Sequence, residues 1–549
     1  MARFDTDAEL IAKIRTVQIS RRRLLGAGAA AAGVTIIGGG NALAGGARRP
    51  STRSSRFQDQ PKPGGTIKIV TSTDPVGLDP MISSAYSTAL ITEHVYNSLM
   101  QYDKQLNEVT GDLAESVEIS EDKLTYTFRL RQGVKWHDGQ PFTAEDVKFS
   151  MERQKDPATG SPNAYMYSEV AEVTAVDPAT VQVKLNKVQG PFLAFMASPW
   201  ASMVPKHVVQ EKGDLQTAMI GTGPFKFVSY EPGKVVKMVK NPDYFVPGQP
   251  VVDALEIVFI FDATSRLNAV LTKQVDLAQE LAPKDFRQLS ATPGLQAIAL
   301  ESGSCQWAYI GMNVTKPPFD NPKVRQAVAY AKNRKAIADN VFFGQAIPLT
   351  GGIVPQWSWA YAENLKLYSD GPDVERARAL MAEAGVPDGF ETTIKVSPAY
   401  PSLAGEAAID QESLKAIGIT ANIVNLEWGT FINDVFGKND FDMQVCGWGG
   451  PFIDPDEFLY PEFHSKQGFN PHLFADPEVD QLLEQGRTTF EKEGRKAIYD
   501  QVQEKIFTLA PVAAGVNSKL IQSSQDYVQG FTPLPTGMMR WVREAWLDQ

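Results

Sequence analysis

The sequence predicts a mixed α/β protein, with an α+β first half and an α/β second half. Three observations predict it. At 549 residues the chain is too long for one core, so two or three domains are expected. Short strands and hairpins mark the first half. Longer αβ units take over in the second, including one βαβ-like run.

The elements follow in order. Thr66-Ile67-Lys68-Ile69-Val70 alternates as a short strand and opens the folded body. Leu124–Glu152 is the most informative stretch. Tyr126, Phe128 and Leu130 share one strand face, and turns follow at Gly133 and Asp138-Gly139. A helix then starts where Thr143 caps and Asp146 answers from the third position. Val173–Leu185 predicts a hairpin around Asp177-Pro178, and Val235–Val239 and Leu255–Phe261 predict strands. A helix near Thr264–Thr272 precedes a strand at Val275–Ala278. In the second half, helices are expected at Asn321–Ala331, Lys335–Phe343 and Asp373–Ala384, the last stopped by Gly385. The strand Thr392–Val396, helix Leu403–Ile417 and strand Ile419–Leu426 form the βαβ-like unit. A strand at Asp442–Cys446, helices near Glu478–Thr489 and Glu491–Leu509, and strands at Val512–Val516 and Lys519–Gln522 complete the chain.

Ahead of the body lies an export signal. Ser20-Arg21-Arg22-Arg23-Leu24-Leu25 resembles a twin-arginine motif. Leu24–Ile37 is a weakly apolar run too short to span a bilayer, and Ala42-Leu43-Ala44 fits a cleavage site. Residues 1–44 carry a net charge of +3, so their removal takes the chain from −11 to −14. Residues 45–65, rich in Gly, Arg, Ser, Gln and Pro, are expected to form a disordered tether. No cysteine stands near the cleavage site to carry a lipid, so a periplasmic protein without an anchor is expected.

Charge and motifs exclude several classes. The acidic balance argues against nucleic-acid binding. There is no G-x-S-x-G, H-E-x-x-H, P-loop or usable dinucleotide fingerprint, so neither catalytic residues nor a cofactor are expected. Of the five histidines only His464 and His472 are close in sequence. They read as loop histidines near the surface rather than as a zinc or nickel site. The acids Asp454, Asp456 and Glu457 read as a solvated turn or helix cap rather than a catalytic dyad. The two cysteines, Cys305 and Cys446, are either a single bridge or two buried free thiols.

Six further motifs, in order, resemble the bacterial extracellular solute-binding proteins of family 5, the peptide, opine and nickel type. They are Asp74–Met81 with Gly77-Leu78-Asp79-Pro80, Glu93–Leu99, Gly221-Thr222-Gly223-Pro224-Phe225, Asn241–Phe245, Asn313–Arg325, and Glu427-Trp428 with Gly447-Trp448-Gly449-Gly450 and Asp454-Pro455. The resemblance runs from about Thr66 to Trp546. It implies a two-lobe periplasmic-binding-protein fold of class C with a hinge and a ligand cleft between the lobes. Lobe I would comprise residues 66–301 and 520–549, with a subdomain inserted at about 97–215, and lobe II residues 302–519. The crossings would fall near Ser302–Trp307 and Ser518–Gln525. A monomer would then trap a small molecule or oligopeptide and hand it to the permease and ATPase of an ABC importer.

By the same resemblance the ligand-side residues are Gly77, Leu78, Tyr86, Ser304, Trp307, Ser397, Tyr400, Trp448, Gly449, Gly450, Pro451, Phe452 and Asp454. In the dipeptide branch an aspartate after the tryptophan holds the amino group, and here that position is about Pro451. The arginine that clamps the carboxylate would fall within Ser397–Tyr400, which has none. Both ionic anchors for a dipeptide look absent, with Asp454 the nearest substitute. Trp448, Tyr400, Trp307 and Phe452 either line an apolar cleft or pack in the core. An oligopeptide-like solute is expected, with an oligosaccharide or opine-like solute as the alternative. A chemosensory receptor or an enzyme is the remoter reading.

Overall fold

The computed structural model describes residues 60–216, 219–451 and 453–549. The export signal and most of the expected tether lie outside the described residues. At the tether's end Gly64 and Gly65 are already tied to the body. The Gly64 amide donates to Val251 O at 3.1 Å, and Gly65 O accepts from the Asp253 amide at 2.8 Å.

Two large sheets organise the body. One has seven strands in the order Leu295–Ile298, Ile521–Gln525, Leu277–Leu281, Thr66–Thr71, Ala254–Phe259, Val235–Lys240 and Phe225–Glu231. Thr66–Thr71 is central and runs parallel to both neighbours, pairing Ile67 with Leu255 and Ile69 with Ile257 and Leu277. Its alternation is real, yet both faces are covered. Ile67 and Ile69 join the main core, and Val70 joins a second cluster with Leu267, Val270 and Leu289.

The other sheet has six strands in the order Ala346–Pro348, Val512–Ser518, Trp307–Met312, Met443–Trp448, Phe390–Val396 and Ile419–Asn425. Every residue of Trp307–Met312 is buried. Trp307 and Tyr309 pack into one apolar cluster, Ile310 and Met312 into another. A strand apolar on both faces must lie between two layers.

The chain leaves the seven-stranded sheet after Ile298 and enters the six-stranded one at Trp307. It returns between Ser518 and Ile521. At the return, the Lys519 amide donates to Gln345 O at 3.0 Å and its ammonium pairs with Glu301 at 2.5 Å. Two lobes joined by two short crossings is the two-lobe binding-protein fold.

A separate four-stranded sheet, in the order Ala114–Ile119, Thr125–Leu130, Thr180–Leu185 and Val170–Asp177, holds the stretch singled out in the sequence. Tyr126, Phe128 and Leu130 are buried as their alternation requires. The following helix is Ala144–Lys155, and the Asp146 carboxylate accepts from the Thr143 amide at 3.0 Å.

Two elements differ from expectation. The helix expected over Lys335–Phe343 is a short α turn, Arg334–Ala336, that widens into a π turn at Ile337–Val341. Apolar spacing over so few residues cannot separate the two periods. The strand expected to end at Ala278 runs over Leu277–Leu281, through a left-handed residue, Glu280, with φ of 53°.

Candidate functional site

The first-lobe contribution starts where Thr71 ends its strand. The loop beyond is pinned from several sides. The Leu78 amide donates to Gln216 Oε1 at 2.8 Å, Gly77 O accepts from the Thr88 hydroxyl at 3.1 Å, and Arg153 grips Asp79 with bonds of 3.1 and 2.7 Å. Leu78 is buried in the main core. Tyr86 begins the helix Tyr86–Val95 and reaches Gln279 Oε1 at 3.4 Å, while Gln279 Nε2 donates to Gly537 O at 2.7 Å. Next to Gln279 stands Glu280. Its Oε2 accepts from the Thr71 hydroxyl at 2.9 Å and from the Ser72 amide and hydroxyl at 3.0 and 2.5 Å.

The second-lobe contribution gathers at the first crossing. Ser304 is buried, and its carbonyl accepts from Asn517 Nδ2 at 2.9 Å and from the Trp357 indole at 3.3 Å. Trp307 and Trp448 face one another as register partners on adjacent strands. The indole of Trp448 donates to Glu457 O at 3.4 Å and its ring lies 5.1 Å from Phe469. Gly449 is required by close approach: a Cβ there would stand 2.6 Å from Cys305 O and 2.8 Å from Gln306 Cα. Gly450 and the buried Pro451 continue the turn, and Phe452 lies outside the described residues.

Ser397 is buried with its hydroxyl unbonded, three residues before Tyr400. Tyr400 is 46% exposed and meets the edge of Trp428 at 4.8 Å. The charge of Glu280 is felt in both lobes. Burial, then the charge of Glu280, pushes the Tyr86 phenol up. Burial, then Cys446 and Glu280, does the same to Tyr400.

The structure thus brings Ser304, Trp307, Trp448 and Gly449 together at the crossing, and the charge of one carboxylate, Glu280, is felt at both Tyr86 and Tyr400. Gly77 and Leu78 pack inside the first lobe. Trp307 is buried against Tyr309, with ring centres 4.5 Å apart. Asp454 has its oxygens engaged: Arg495 donates to Oδ2 at 2.9 Å and to Oδ1 at 2.6 Å, and the Asp456 amide adds a bond of 3.0 Å. Sequence reasoning missed Glu280, because Gln279-Glu280 looks like the end of an apolar strand. A strand continuing through a left-handed glutamate has no sequence signature.

The acidic run resolves to a helix cap, but not to a solvated one. Asp454 caps Pro455–Phe463 and Glu457 returns from the third position, accepting from the Ile453 and Asp454 amides at 3.2 and 3.3 Å. Asp454, Asp456 and Glu457 are all buried. Arg487 Nε donates to both Asp456 oxygens at 3.1 Å. This region also meets the first lobe. The Gly190 amide donates to Arg487 O at 2.6 Å, Lys492 donates to Asn107 O at 2.9 Å, and Lys123 sits 4.6 Å over the Phe490 ring. A Cβ on Gly190 would fall 2.3 Å from Thr489 O.

The histidine expectation is corrected. His464 and His472 are both buried, not near the surface. His464 stacks on Tyr460 and lies 3.3 Å from Glu484. His472 packs against Tyr309 with both ring nitrogens unbonded, and burial lowers its pKa to about 3. Among the described residues no three His, Cys, Asp or Glu side chains form a metal cage. Cys305 and Cys446 are free and buried, and burial pushes both thiols up to about 12. No helix among the described residues is long and apolar enough to cross a membrane.

Comparison with known proteins agrees with this fold. The model of bacterial extracellular solute-binding proteins, family 5 Middle, matches residues 108–470. The glutathione-binding protein GsiB of Escherichia coli O1:K1 / APEC is 31% identical over 467 residues, covering 83% of this chain and 90% of that protein. Among solved structures, the ABC transporter-associated periplasmic binding protein DppA of Helicobacter pylori in complex with peptide STSA is similar. Its TM-score is 0.77 at 28% identity, over 89% of this chain and 99% of that one. The binding protein AgaA of A. tumefaciens R10 in complex with agropinic acid gives 0.76 at 28% identity, over 88% and 99%.

Proposed function

The chain belongs to the bacterial extracellular solute-binding proteins of family 5, and from that premise we propose that it captures an oligopeptide-like solute for an ABC importer. The solute is enclosed between the lobes near the first crossing, and hinge closure presents the result to a permease. The protein acts as a non-enzymatic receptor.

One observation carries the choice of solute. Asp454, the acid nearest the place of a dipeptide's amine anchor, is neutralised by Arg495. With no arginine in Ser397–Tyr400, a dipeptide would bury two free charges without those anchors. A longer or end-modified peptide escapes that cost, and the glutathione-binding relative fits a solute of that size. An opine-like solute is the second reading, favoured by the likeness to AgaA with agropinic acid.

Native mass spectrometry of freshly purified protein tests the reading by identifying retained solute. That solute, at one hundred times its Kd, raises stability by about 2.7 kcal/mol. Small-angle scattering shows compaction at the same time. Trp448→Ala weakens binding by about 2–4 kcal/mol if the ring is a hot spot. Unchanged affinity would assign Trp448 to the core. Submicromolar binding of ordinary dipeptides would refute the anchor argument.

Export is proposed to follow the twin-arginine route, which delivers a folded protein to the periplasm. Replacing Arg21 and Arg22 with lysine is expected to leave folded precursor in the cytoplasm. Mature-sized protein still appearing in the periplasm would exclude that route.

A further inference from the structure

We propose that Glu280 receives a protonated amine of the solute, so that the ligand class is a cation-bearing one. The proposal rests on the solute-binding reading and specifies its chemistry.

The geometry around Glu280 is that of a built acceptor. The residue sits at the C-terminal ends of two parallel strands, Thr66–Thr71 and Leu277–Leu281. Ligands of open parallel sheets gather outside such ends. The register against Ile521–Gln525 shifts between Ala278 and Leu281, so Glu280 lies at a bulge. Bulges re-aim side chains near functional sites. Its φ of 53° is a conformation that a non-glycine residue adopts only when its surroundings impose it.

Those surroundings are specific. Arg266 donates to the Glu280 carbonyl at 2.9 Å and to the carbonyls of Ile260 and Phe261 at 2.9 and 2.8 Å. The guanidinium therefore fixes the backbone and donates no hydrogen bond to the carboxylate, although it feels the charge of Glu280. All three side-chain hydrogen bonds from Thr71 and Ser72 go to Oε2. Among the described residues no lysine or arginine forms an ion pair with Glu280. The result is a held, partly buried carboxylate whose second oxygen receives none of these bonds.

Tyr86 of the first lobe and Tyr400 of the second both feel the charge of Glu280. An ammonium paired with a carboxylate gains ionic attraction, and over an aromatic face cation–π attraction as well. This places recognition of the amine on the first lobe, away from the segment around Pro451.

The test uses two probes, a mixed tripeptide library with free amino termini and the same library N-acetylated. Each is incubated with wild type and with Glu280→Gln and read by native mass spectrometry. Gln retains an oxygen for the Ser72 amide, so the loop tie is kept while the charge is lost. Wild type is expected to capture the free-amine library at least about tenfold better than the acetylated one, and Glu280→Gln to lose that preference. Equal capture of both libraries by wild type, or a preference retained in Glu280→Gln, overturns the assignment. If neither library binds, the co-purified solute decides. One with a basic nitrogen that Glu280→Gln no longer retains upholds the proposal. One without a basic nitrogen, or one that Glu280→Gln retains equally, overturns it while solute capture stands. A wild type that neither retains nor captures any solute refutes the receptor reading itself.

Discussion

Arg495→Met is expected to lower unfolding stability by about 3–5 kcal/mol, the range for breaking a buried ion pair from one side. Arg495 is 4% exposed and Asp454 2%, and the two meet through a pair of bonds of 2.9 and 2.6 Å. The same guanidinium donates to Gly486 O and to the Tyr499 hydroxyl, each at 3.1 Å, and lies 5.3 Å over Trp359. Removing it leaves a carboxylate with no cation in a site closed to water. Most of the loss is the cost of that stranded charge, not the strength of the pair. The pair therefore has a diagnostic double variant. Arg495→Met with Asp454→Asn removes both charges and is expected to recover a substantial part of the loss. Urea unfolding at neutral pH measures both. A loss below about 1 kcal/mol in the single variant would show that Asp454 is solvated when unpaired, as a surface pair would be.

That pair also shows where sequence reading stops. The cap itself was legible: an aspartate before a proline, with an acid at the third position, is a helix start whatever surrounds it. The partner was not, because Arg495 lies 41 residues away on another helix and nothing local to either residue names the other. The same division runs through the fold. Thr66–Val70 and Asn321–Ala331 were legible because their apolar spacing matches one period cleanly, and the structure has Thr66–Thr71 and Pro322–Ala331. Sheet order was not, since Ala254–Phe259 and Leu277–Leu281 come to flank Thr66–Thr71 only through tertiary packing. Charge and burial were confused most at His472 and Glu457. Polar residues between turns look solvated in a sequence, but here residues from distant segments cover them, Tyr309 and Phe441 in the case of His472.

Glu457 supplies the second large effect, a dependence on pH. Burial, followed by the charge of Asp454, raises its pKa from 4.5 to about 8. In the unfolded chain the carboxyl titrates near its ordinary value, so between those limits the folded state holds a proton that the unfolded state releases. Stability from this group is fully present below about pH 4.5 and is lost as pH rises through 8. The full span is worth at most about 5 kcal/mol. Glu93, raised to about 7 by burial, acts in the same direction. His94 and His472, both lowered to about 3, act oppositely, their stability being present above 6.5 and lost as pH falls. Comparing Glu457→Gln with wild type cancels the contributions of the other three. Glutamine still accepts from the Ile453 and Asp454 amides but cannot ionise. The variant is expected to match wild type near pH 4.5 and to exceed it by a few kcal/mol at pH 8 to 9. Parallel stability curves across that range would show that Glu457 titrates normally. The consequence reaches function, because the charge of Glu457 is also felt by Tyr102 and Tyr165 of the first lobe. Ionising it adds a second buried negative charge beside Asp454 where the lobes meet, so solute affinity is expected to fall above pH 8 in wild type and to hold in Glu457→Gln.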